Sequence, residues 1–587
     1  MEQVEPDLTA ELAAAALSDD VEGLPPAADP SVVTVEDGGT FDLRIHPVAK
    51  RIGGTTFRML SYNGSIPGTT LRGRQGSQIL VNVTNETAMS TTVHWHGLRL
   101  ENRYDGVPHE TQEPISPGGR YTHRLVFPDA GLFWYHPHVR EDFAQEMGLY
   151  ANILVDPADS SYWPSADREI VLTLDDILIE DDVISSFDPH HATFAAMGRF
   201  GNVMLVGGET GPVLPARARE VVRLFLTNTA NTRVFKVAVE GSPMKLIGSD
   251  GGRYERETWG DDVIVAPSER AIVDVCFSSA GRFALQHVTP ERTYELGRFD
   301  VGESSAGPGS TRFEDLRVNQ EMTAERERVT GYLDAAPDKT LALVAEMDFD
   351  DPAEGAGVVY VCPMHPDVTS DAPGSCPQCG MKLMPRVVEP AAYACPMHPE
   401  VVSSQPGHCP QCGMKLLPSV SPPRAVGHDP GDGGRGAHAH STAEGIELED
   451  DMVETNRTTT PANMRWKLVD RDTGKENGDI DWVFDEGDQV KIRLVNEMAS
   501  NHPMHHPFHV HGERFLVLAR NDVPEDNLVW KDTVLLRTGE VVDILLDASN
   551  PGLWMVHCHI AEHMESGMMF DFRVRASAGG TAGAPPA

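Results

Sequence analysis

Four short histidine-rich segments constrain the fold of this chain more than any other feature. Two of them lie between residues 94 and 138, and two lie between residues 506 and 563. Alternate residues of an extended strand point to the same side, so a His-x-His pair projects both imidazoles together. Eight imidazoles can then converge on one metal cluster, which requires both ends of the polypeptide to meet. The pairs are His94 and His96, His136 and His138, His509 and His511, and His557 and His559.

The alternative for any one of these histidines is a structural role, as a hydrogen-bonded residue of the core that binds no metal. A lone histidine on a strand is more often of that kind than a ligand. Random placement of the 24 histidines of this chain would rarely produce four such pairs. The pairs taken together therefore favour a metal cluster.

The fourth segment also contains a cysteine, Cys558, between two of these histidines. Because His557 and His559 face one side of the strand, Cys558 faces the other. A thiolate with two imidazoles and a distant thioether is the ligand set of a blue-copper electron-transfer site. The imidazoles of His506 and His563 and the thioether of Met568 can complete that set. The backbone at Cys558 then links this copper directly to the neighbouring cluster.

Short β-type runs separated by Gly, Pro and Asn recur in three series along the chain, which predicts an all-β fold of three domains. At 587 residues the chain is long enough for three or four domains. An acidic, Ala- and Pro-rich start predicts a disordered or loosely held arm. We place the arm at 1–40, domain 1 at 41–157, domain 2 at 158–335, domain 3 at 336–352 and 450–576, and a tail at 577–587.

The third β series is interrupted by a cysteine-rich insertion. A unit that starts at Tyr360 recurs at Tyr393, which is a period of 33 residues. Two copies at fixed spacing predict two small tandem modules, at 358–387 and 391–420. The Gly- and His-bearing segment that follows, 421–449, is typical of a flexible linker.

Each module offers four donors suited to structural zinc and two methionine thioethers that favour Cu(I). Modules this small lack an adequate core, so a bound metal is expected to fold them. The donors of the first module are Cys362, Met364, His365, Cys376, Cys379 and Met381. Those of the second are Cys395, Met397, His398, Cys409, Cys412 and Met414. Of the 8 cysteines, the remaining one, Cys276, is expected to be a buried core thiol.

With these motifs the sequence resembles the multicopper oxidases, specifically three-domain bacterial laccases and cuprous oxidases. The likeness covers about 41 to 350 and 450 to 575. It implies three cupredoxin-like Greek-key β-sandwich domains and four copper ions, one of type 1, one of type 2 and a type 3 pair. The implied type 1 ligands are His506, Cys558, His563 and Met568. The implied type 2 ligands are His94 and His509. The implied type 3 ligands are His96, His136, His138, His511, His557 and His559.

The resemblance also implies a carboxylate that delivers protons near the cluster. Asp105 matches the acidic residue of the family there, although an Asp-Gly turn without a catalytic role is the alternative. The family often has an acid directly after the second type 1 histidine, but this chain has Met564 at that position. Glu562 and Glu565 are weak candidates for the second proton donor. The nearby His502 and His505 are interpreted as a loop extension before the ligand His506, with a role near the substrate as the alternative.

The repeats resemble the heavy-metal-binding modules of bacterial copper and silver export proteins. In bacterial cuprous oxidases a methionine-rich insertion occurs in the third domain, close to the type 1 copper. Our hypothesis is that the two modules capture Cu(I), or another soft metal, and pass it to the oxidation site or buffer it. The alternative is a pair of zinc-folded modules with no part in turnover.

The resemblance implies an oxidase that couples one-electron oxidation of phenols, aryl amines or low-valent metals such as Cu(I) to the reduction of O2 to water. Type 1 copper, near His506, would take the electrons and pass them through Cys558. A copper-sequestering or resistance protein is the alternative from a different class, but storage does not need an O2-reducing cluster. A copper nitrite reductase is disfavoured because the first-domain pairs and the His-Cys-His segment complete a trinuclear site.

The net charge of −40 argues against nucleic acid as a partner, because phosphate binding needs a basic face. It favours cations, or is simply a well-solvated acidic surface. No apolar run approaches the roughly 18 residues of a membrane span. The first twenty residues show no signal peptide, yet the family predicts a periplasmic or extracellular protein. The oligomeric state is left open.

Overall fold

The computed structural model describes five long ranges of the chain, 18–303, 312–347, 445–450, 452–498 and 502–577. It also describes the short stretches 357–361, 368–370, 374, 376–377, 383–388, 392–394, 402–403 and 417–419. The chain forms two compact units. The first comprises 1–346, 441–450 and 456–587, and the second comprises 347–440 and 451–455.

Domain 1 consists of two β-sheets whose inner faces share one hydrophobic core. Buried and exposed residues alternate through most of the second strand, because successive side chains of a strand point to opposite faces. The strand orders are β1-β4-β9-β8-β6 and β3-β2-β5-β7. The strands are β1 (Val32–Thr34), β2 (Thr40–Ile52), β3 (Thr55–Tyr62), β4 (Thr70–Arg74), β5 (Gln78–Asn85), β6 (His94–His96), β7 (Arg120–Val126), β8 (Gly131–His136) and β9 (Ala151–Asp156). The helices are a 3-10 turn at Asn102–Tyr104 and α1 (Glu141–Ala144).

The segment before domain 1 is ordered over part of its length, which corrects the prediction of a disordered arm at 1–40. Pro26 forms a bridge with Ala49, and strand β1 pairs in parallel with β4. Its backbone therefore finds hydrogen-bond partners on domain 1, which composition alone could not reveal. Residues 1–17 lie outside the described part of the chain.

Domain 2 has the same two-sheet construction around its own core. Its strand orders are β13-β10-β15-β20-β17-β18 and β14-β22-β21-β16-β19, with a small hairpin of β11 and β12. The strands are β10 (Arg168–Ile177), β11 (Ile179–Glu180), β12 (Val183–Ile184), β13 (Val203–Val206), β14 (Val213–Arg217), β15 (Val221–Asn228), β16 (Phe235–Val239), β17 (Met244–Ser249), β18 (Gly252–Gly260), β19 (Asp262–Val265), β20 (Arg270–Cys276), β21 (Gly281–Val288) and β22 (Thr293–Gly302).

Cys276 ends strand β20 and is half-buried, not a buried core thiol as expected. The six preceding residues of the strand are buried, and the core ends there. The position of the thiol at the end of the strand accounts for the difference.

A helix that the sequence did not predict, α2 (Gln320–Leu333), follows domain 2. The side chain of Asn319 caps its first turn by accepting a hydrogen bond from the Glu321 backbone at 3.2 Å. Its buried residues Met322 and Val329 pack against a cluster of domain 3 that includes Trp530. The helix therefore covers domain 3.

Domain 3 is one β-sandwich although the insertion divides it in sequence. Its first strand, β23 (Lys339–Met347), pairs in parallel with β32, which follows the insertion. The strand orders are β30-β23-β32-β38-β34-β35, with β36 beside β34, and β31-β40-β39-β33-β37. The later strands are β30 (Met464–Asp470), β31 (Val483–Asp485), β32 (Gln489–Asn496), β33 (His506–Val510), β34 (Arg514–Arg520), β35 (Val523–Pro524), β36 (Trp530–Lys531), β37 (Thr533–Leu536), β38 (Val541–Asp547), β39 (Gly552–Cys558) and β40 (Met569–Arg575). The helices are α3 (Val453–Asn456), a 3-10 turn at Asn477–Asp479 and α4 (Ala561–Glu565).

The end of the predicted flexible linker is ordered, which corrects the assignment of 421–449. Ile446 and Leu448 are buried in a cluster with Val234 and Leu535. Two apolar side chains in a Gly- and His-rich neighbourhood suffice to anchor this stretch on the surface of domains 2 and 3. Residues 421–444 lie outside the described part of the chain.

The two predicted modules have the same strand pattern. Each contains a three-stranded sheet, with the order β25-β24-β26 in the first module and β28-β27-β29 in the second. In the first, Cys376 is buried beside Leu383. The other predicted donors of both modules lie outside the described residues. The strands are β24 (Gly357–Val361), β25 (Thr369–Ser370), β26 (Met384–Val388), β27 (Ala392–Ala394), β28 (Val402–Ser403) and β29 (Leu417–Ser419).

The predicted all-β class is confirmed, since strands hold 48% of the described residues and helices 7%. Among the described residues, no helix is both long and apolar enough to cross a membrane.

Candidate metal centre

The strand pairing brings the four histidine segments together two by two. In domain 1, β6 lies antiparallel to β8, with His94 opposite His136. In domain 3, β33 lies antiparallel to β39, with His509 opposite His557. Each sandwich therefore presents two His-x-His segments side by side, as the period of two along a strand allows.

The eight predicted imidazoles form one nest, which we call the histidine nest, between domains 1 and 3. All eight are buried. Their ring nitrogens fall into overlapping trios in which the atoms lie within 4.8 Å of one another. Burial holds the pKa of His136, His138 and His559 well below the usual value, so these rings are neutral and have free lone pairs. The trios are His94, His138 and His511; His94, His96 and His509; His96, His136 and His559; and His509, His511 and His557.

The nest leaves one nitrogen of each ring without a conventional partner. Six of these atoms have no hydrogen-bond partner among the described residues, and the other two, Nε2 of His511 and Nε2 of His557, face each other at 3.1 Å. Buried polar atoms without partners are costly, by about 1–3 kcal/mol each. Imidazole nitrogens suit copper, so a copper cluster fits this donor set. The six atoms are Nε2 of His94, His136, His138, His509 and His559, and Nδ1 of His96.

In six of the rings the opposite nitrogen is hydrogen-bonded to an oxygen of the protein, which sets the tautomer of the ring. Nδ1 of His94 lies 2.7 Å from the carbonyl oxygen of Asp105, and Nδ1 of His509 lies 2.8 Å from that of Asp532. His96 is reversed, because its Nε2 lies 3.1 Å from the Asp532 carboxylate and its Nδ1 faces the nest. No sequence pattern reveals which nitrogen faces inward.

Asp105 lies between the two domains with its carboxylate against two rings of the nest. Oδ2 is 2.9 Å from Nδ1 of His511, and Oδ1 is 3.3 Å from Nδ1 of His94. Although burial opposes it, these imidazoles hold the pKa of Asp105 well below its usual value. The Asp-Gly turn of the alternative interpretation exists too, since Gly106 has φ +89° and a Cβ there would meet the Val93 carbonyl. The turn thus aims a buried carboxylate at the nest.

Domain 2 supports the nest through a buried ion pair that sequence reasoning missed. Arg270 Nη1 donates to Asp532 Oδ1 at 2.7 Å, and the same oxygen lies 3.1 Å from Nε2 of His96. Arg270 also donates to the Leu132 carbonyl of domain 1 at 2.9 Å. One guanidinium therefore connects all three domains behind the nest. Neither residue lies in a histidine motif, so no local signal identifies them.

A second donor set, which we call the cysteine pocket, lies on the other side of β39. The Cys558 Sγ lies 3.4 Å from Nδ1 of His506 and 3.8 Å from Nδ1 of His563, and those nitrogens are 3.3 Å apart. Met568 is fully buried, and its carbonyl accepts from the Cys558 backbone at 3.1 Å. Burial raises the pKa of the Cys558 thiol, so a cation is needed to hold the thiolate. The pocket fits the predicted blue-copper set.

Trp466 closes the cysteine pocket and was not predicted from the sequence. Its ring stacks on His563 with centroids 4.0 Å apart and meets His506 edge-on at 4.8 Å. Its Nε1 donates to the Ala195 carbonyl of domain 2 at 2.7 Å. The indole therefore shields both imidazoles from water.

His502 and His505 lie in the loop before β33, and both are buried. Nδ1 of His505 lies 2.6 Å from the Glu447 carboxylate. Nε2 of His502 lies 3.1 Å from the sulfur of Met197 in domain 2, and its Nδ1 has no partner among the described residues. His506, and not His502, is the imidazole that meets Cys558.

Of the two acids beside the cysteine pocket, Glu562 is buried and Glu565 is half-buried. Glu562 accepts from Thr232 Oγ1 at 3.2 Å and from Asn231 Nδ2 at 3.4 Å. Burial raises the pKa of Glu562 and of Glu565 to about 7. Met564, at the position of the expected acid, is buried in a cluster with Val107 and Met555.

Comparison with known protein families supports these sites. A sequence profile described as multicopper oxidase matches residues 47–160, and a second profile with the same description matches residues 449–578. A heavy metal binding domain profile matches residues 359–386 and 392–419. These ranges correspond to domain 1, domain 3 and the two modules.

Similar proteins extend over nearly the whole chain. A multicopper oxidase of Mycobacterium tuberculosis is 24% identical over 90% of this chain and 86% of its own length. A copper resistance protein A homolog of Pseudomonas syringae pv. tomato is 25% identical over 92% of each. A crystal structure of a multicopper oxidase from Pediococcus acidilactici aligns with a TM-score of 0.61 at 20% identity, covering 97% of this chain and 95% of that one. The shared fold confirms the expected cupredoxin-like domains.

Proposed function

Because the chain belongs to the multicopper oxidase family, we propose that it takes electrons singly from a reducing substrate and uses four of them to reduce O2 to water. One observation carries the proposal. A buried thiol with two imidazoles adjoins a nest of eight imidazoles. Three consecutive residues connect the two sites, because Cys558 belongs to the pocket and its neighbours His557 and His559 belong to the nest. A storage protein has no need of this connection.

We assign four copper ions to the two donor sets. When bound, copper supplies one-electron redox chemistry at the cysteine pocket and O2 reduction at the histidine nest. One nitrogen trio supports the assignment, because His96, His136 and His559 are all type 3 ligands and their nitrogens lie close enough to share one ion. Type 1 is assigned to His506, Cys558, His563 and Met568. Type 2 is assigned to His94 and His509. The type 3 pair is assigned to His96, His136, His138, His511, His557 and His559.

The protein's own residues then have separate tasks. Cys558 connects the two sites through its peptide bonds to His557 and His559. Trp466 keeps water from the cysteine pocket. Oδ2 of Asp105 accepts a hydrogen bond from Nδ1 of His511, its backbone carbonyl accepts from Nδ1 of His94, and its carboxylate is our candidate for delivering protons to the nest.

For the reductant, we propose a soft, low-valent metal ion such as Cu(I), with phenols and aryl amines as the alternative. The support is the buried contact between Nε2 of His502 and the Met197 sulfur, four residues before the pocket ligand His506. A thioether and an imidazole are donors that suit copper, and the thioether favours Cu(I). The two metal-binding modules, for which we propose Cu(I) or zinc, point to the same class of substrate.

The test is oxygen uptake by copper-reconstituted protein with phenolic, Cu(I), Fe(II) and Mn(II) donors. Uptake with a ratio of one O2 per four electrons supports the oxidase. No uptake from fully copper-loaded protein would favour sequestration instead. Replacing Met197 with Leu should lower Cu(I) oxidation and leave phenol oxidation unchanged, and an equal effect on both would remove the soft-metal proposal.

An exported location remains part of the proposal. It is based on the family resemblance and on the likeness to a copper resistance protein A homolog. Fractionation of the native cells would test it.

A further inference from the structure

Glu141, which no histidine motif includes, lies behind three rings of the histidine nest. Its carboxylate is fully buried at the start of α1. Oε2 lies 3.3 Å from Nδ1 of His138, and Oε1 lies 3.6 Å from Nδ1 of His136 and 3.6 Å from Nδ1 of His559. One carboxylate from domain 1 therefore contacts two rings of its own domain and one of domain 3.

The three rings share a further property. Nε2 of His136, His138 and His559 has no hydrogen-bond partner among the described residues and is the nitrogen available to a metal. A ring that binds metal through Nε2 carries its hydrogen on Nδ1, and that hydrogen needs an acceptor. For His559, Glu141 is the acceptor within reach, since Nδ1 of His559 has no hydrogen bond to any described residue.

The ion pairing of Glu141 differs from that of Asp142, its neighbour in sequence. Arg140 holds Asp142 with two hydrogen bonds, of 2.9 and 3.0 Å, whereas no arginine or lysine in the described ranges forms an ion pair with Glu141. A buried carboxylate is costly unless it is paired and hydrogen-bonded. The nitrogens that face the Glu141 carboxylate are Nδ1 of the three imidazoles, of which that of His136 also lies 3.1 Å from the Pro137 carbonyl oxygen. The positive character of these rings rises when they bind a cation.

The local backbone produces this arrangement. Arg140 has φ +48°, a left-handed conformation that turns the chain sharply between His138 and α1. The turn directs the guanidinium of Arg140 to Asp142 and to the carbonyl of Asp188 at 2.9 Å, away from Glu141. The carboxylate of Glu141 is thereby left to the imidazoles.

We propose that Glu141 is a positioning residue that fixes the tautomer and orientation of His136, His138 and His559 and so tunes how tightly the type 3 pair is held. The inference rests on the proposed function. Glu141 lies where rings of domains 1 and 3 meet. Loss of an outer-shell partner of this kind lowers metal affinity by about 10–100-fold.

The experiment compares three variants of the full chain, Glu141→Gln, Glu141→Asp and, as the matched control, Asp142→Asn. Each is loaded with copper and measured for copper per molecule, for release of copper to a chelator, and for the fraction of copper that is visible by electron paramagnetic resonance. A coupled pair of Cu(II) ions is silent in that measurement. The blue absorption of the cysteine pocket reports independently that the chain is folded.

We expect Glu141→Gln to keep the blue absorption but to release the pair copper about 10–100-fold more readily, because an amide has one acceptor oxygen in place of the two that face these rings. The visible fraction of copper should rise. Glu141→Asp, which keeps the charge, should recover part of the affinity, and Asp142→Asn should match the wild type.

Wild-type copper affinity and an unchanged visible fraction in Glu141→Gln would overturn the proposal. An equal loss in Asp142→Asn would do so too, since it would show a general effect of altering α1. Measurements on the wild-type protein distinguish failure of the Glu141 proposal from failure of the proposed oxidase function. If it binds four copper ions and consumes O2 while Glu141→Gln behaves identically, only the role of Glu141 fails; if it consumes no O2, the proposed oxidase fails.

Discussion

The cysteine pocket and the histidine nest share strand β39 but are built in opposite ways. The pocket takes all its donors from domain 3, and its imidazoles are covered by the apolar face of Trp466. The nest takes four rings from each of two domains and has the carboxylates of Asp105, Glu141 and Asp532 behind them. An apolar wall suits a site that changes by one electron, whereas ring-backing carboxylates suit a site that gathers several cations.

The largest difference between the effects on the two sites is expected from Cys558→Ser. A hydroxyl cannot replace the thiolate, so the blue absorption should vanish and O2 uptake with every reductant should fall by more than the ~100-fold caused by losing an outer-shell partner. The nest should keep its copper, measured as metal per molecule. Cys276→Ser, a half-buried thiol of domain 2, is the control and should change nothing. Turnover that survives in Cys558→Ser would contradict the connection of the two sites.

The opposite result, damage to the nest with the pocket preserved, is expected from Asp532→Asn. The amide has no negative charge and only one acceptor oxygen, so it cannot hold His96 and both guanidinium nitrogens of Arg270, and copper affinity at the nest should fall about 10–100-fold while the blue absorption stays. Removing one partner of a buried ion pair should also lower the free energy of unfolding by about 3–5 kcal/mol.

The matched control for that variant is Asp274→Asn in domain 2. Asp274 accepts from Arg223 in a similar buried pair, at 2.8 and 2.9 Å, without contact to the nest. We expect a comparable loss of stability in chemical denaturation and no loss of copper. If both variants lose copper equally, the effect of Asp532 belongs to stability and not to the nest.

Deleting residues 355 to 445 tests whether the modules affect only the oxidation of Cu(I) and not the histidine nest. If they capture Cu(I) for oxidation, the rate with Cu(I) should fall several-fold while the rate with a phenol and the copper content of the nest are kept. Equal retention of both activities would remove the capture hypothesis. Substitution of Cys376 alone, by Ser, offers a milder version of the same comparison.

The smallest effect is expected from Trp466→Phe, which keeps an aromatic face but loses the hydrogen bond to Ala195. An unsatisfied buried carbonyl should lower the free energy of unfolding by about 1–3 kcal/mol. The blue absorption should shift and the nest should be unchanged. Trp554→Phe is the control, because Trp554 is buried on β39 and donates to the Asn550 carbonyl at 2.7 Å without stacking on a pocket ligand. If the blue absorption shifts equally in both variants, a specific role for Trp466 is refuted.

Much of the fold was predictable because it follows from local patterns. The β-runs and the period of the modules indicated three β domains and an insertion. The helix α2 was missed, since its apolar residues Met322 and Val329 are few and have meaning only against domain 3. Composition predicted a disordered arm at 1–40 and a flexible linker at 421–449, but strand pairing orders part of the arm and two buried side chains order the end of the linker.

The donors of both sites were visible in the sequence, because a His-x-His pair on a strand and a cysteine between two histidines are local arrangements with a local geometric consequence. The tertiary structure alone decided which nitrogen of each ring faces the nest and which side chains hold the other. His96 and Asp532 are 436 residues apart, and Arg270 reaches them from a third domain. Such contacts depend on how separate sandwiches close on one another, and a closed interface leaves no periodic pattern in the chain.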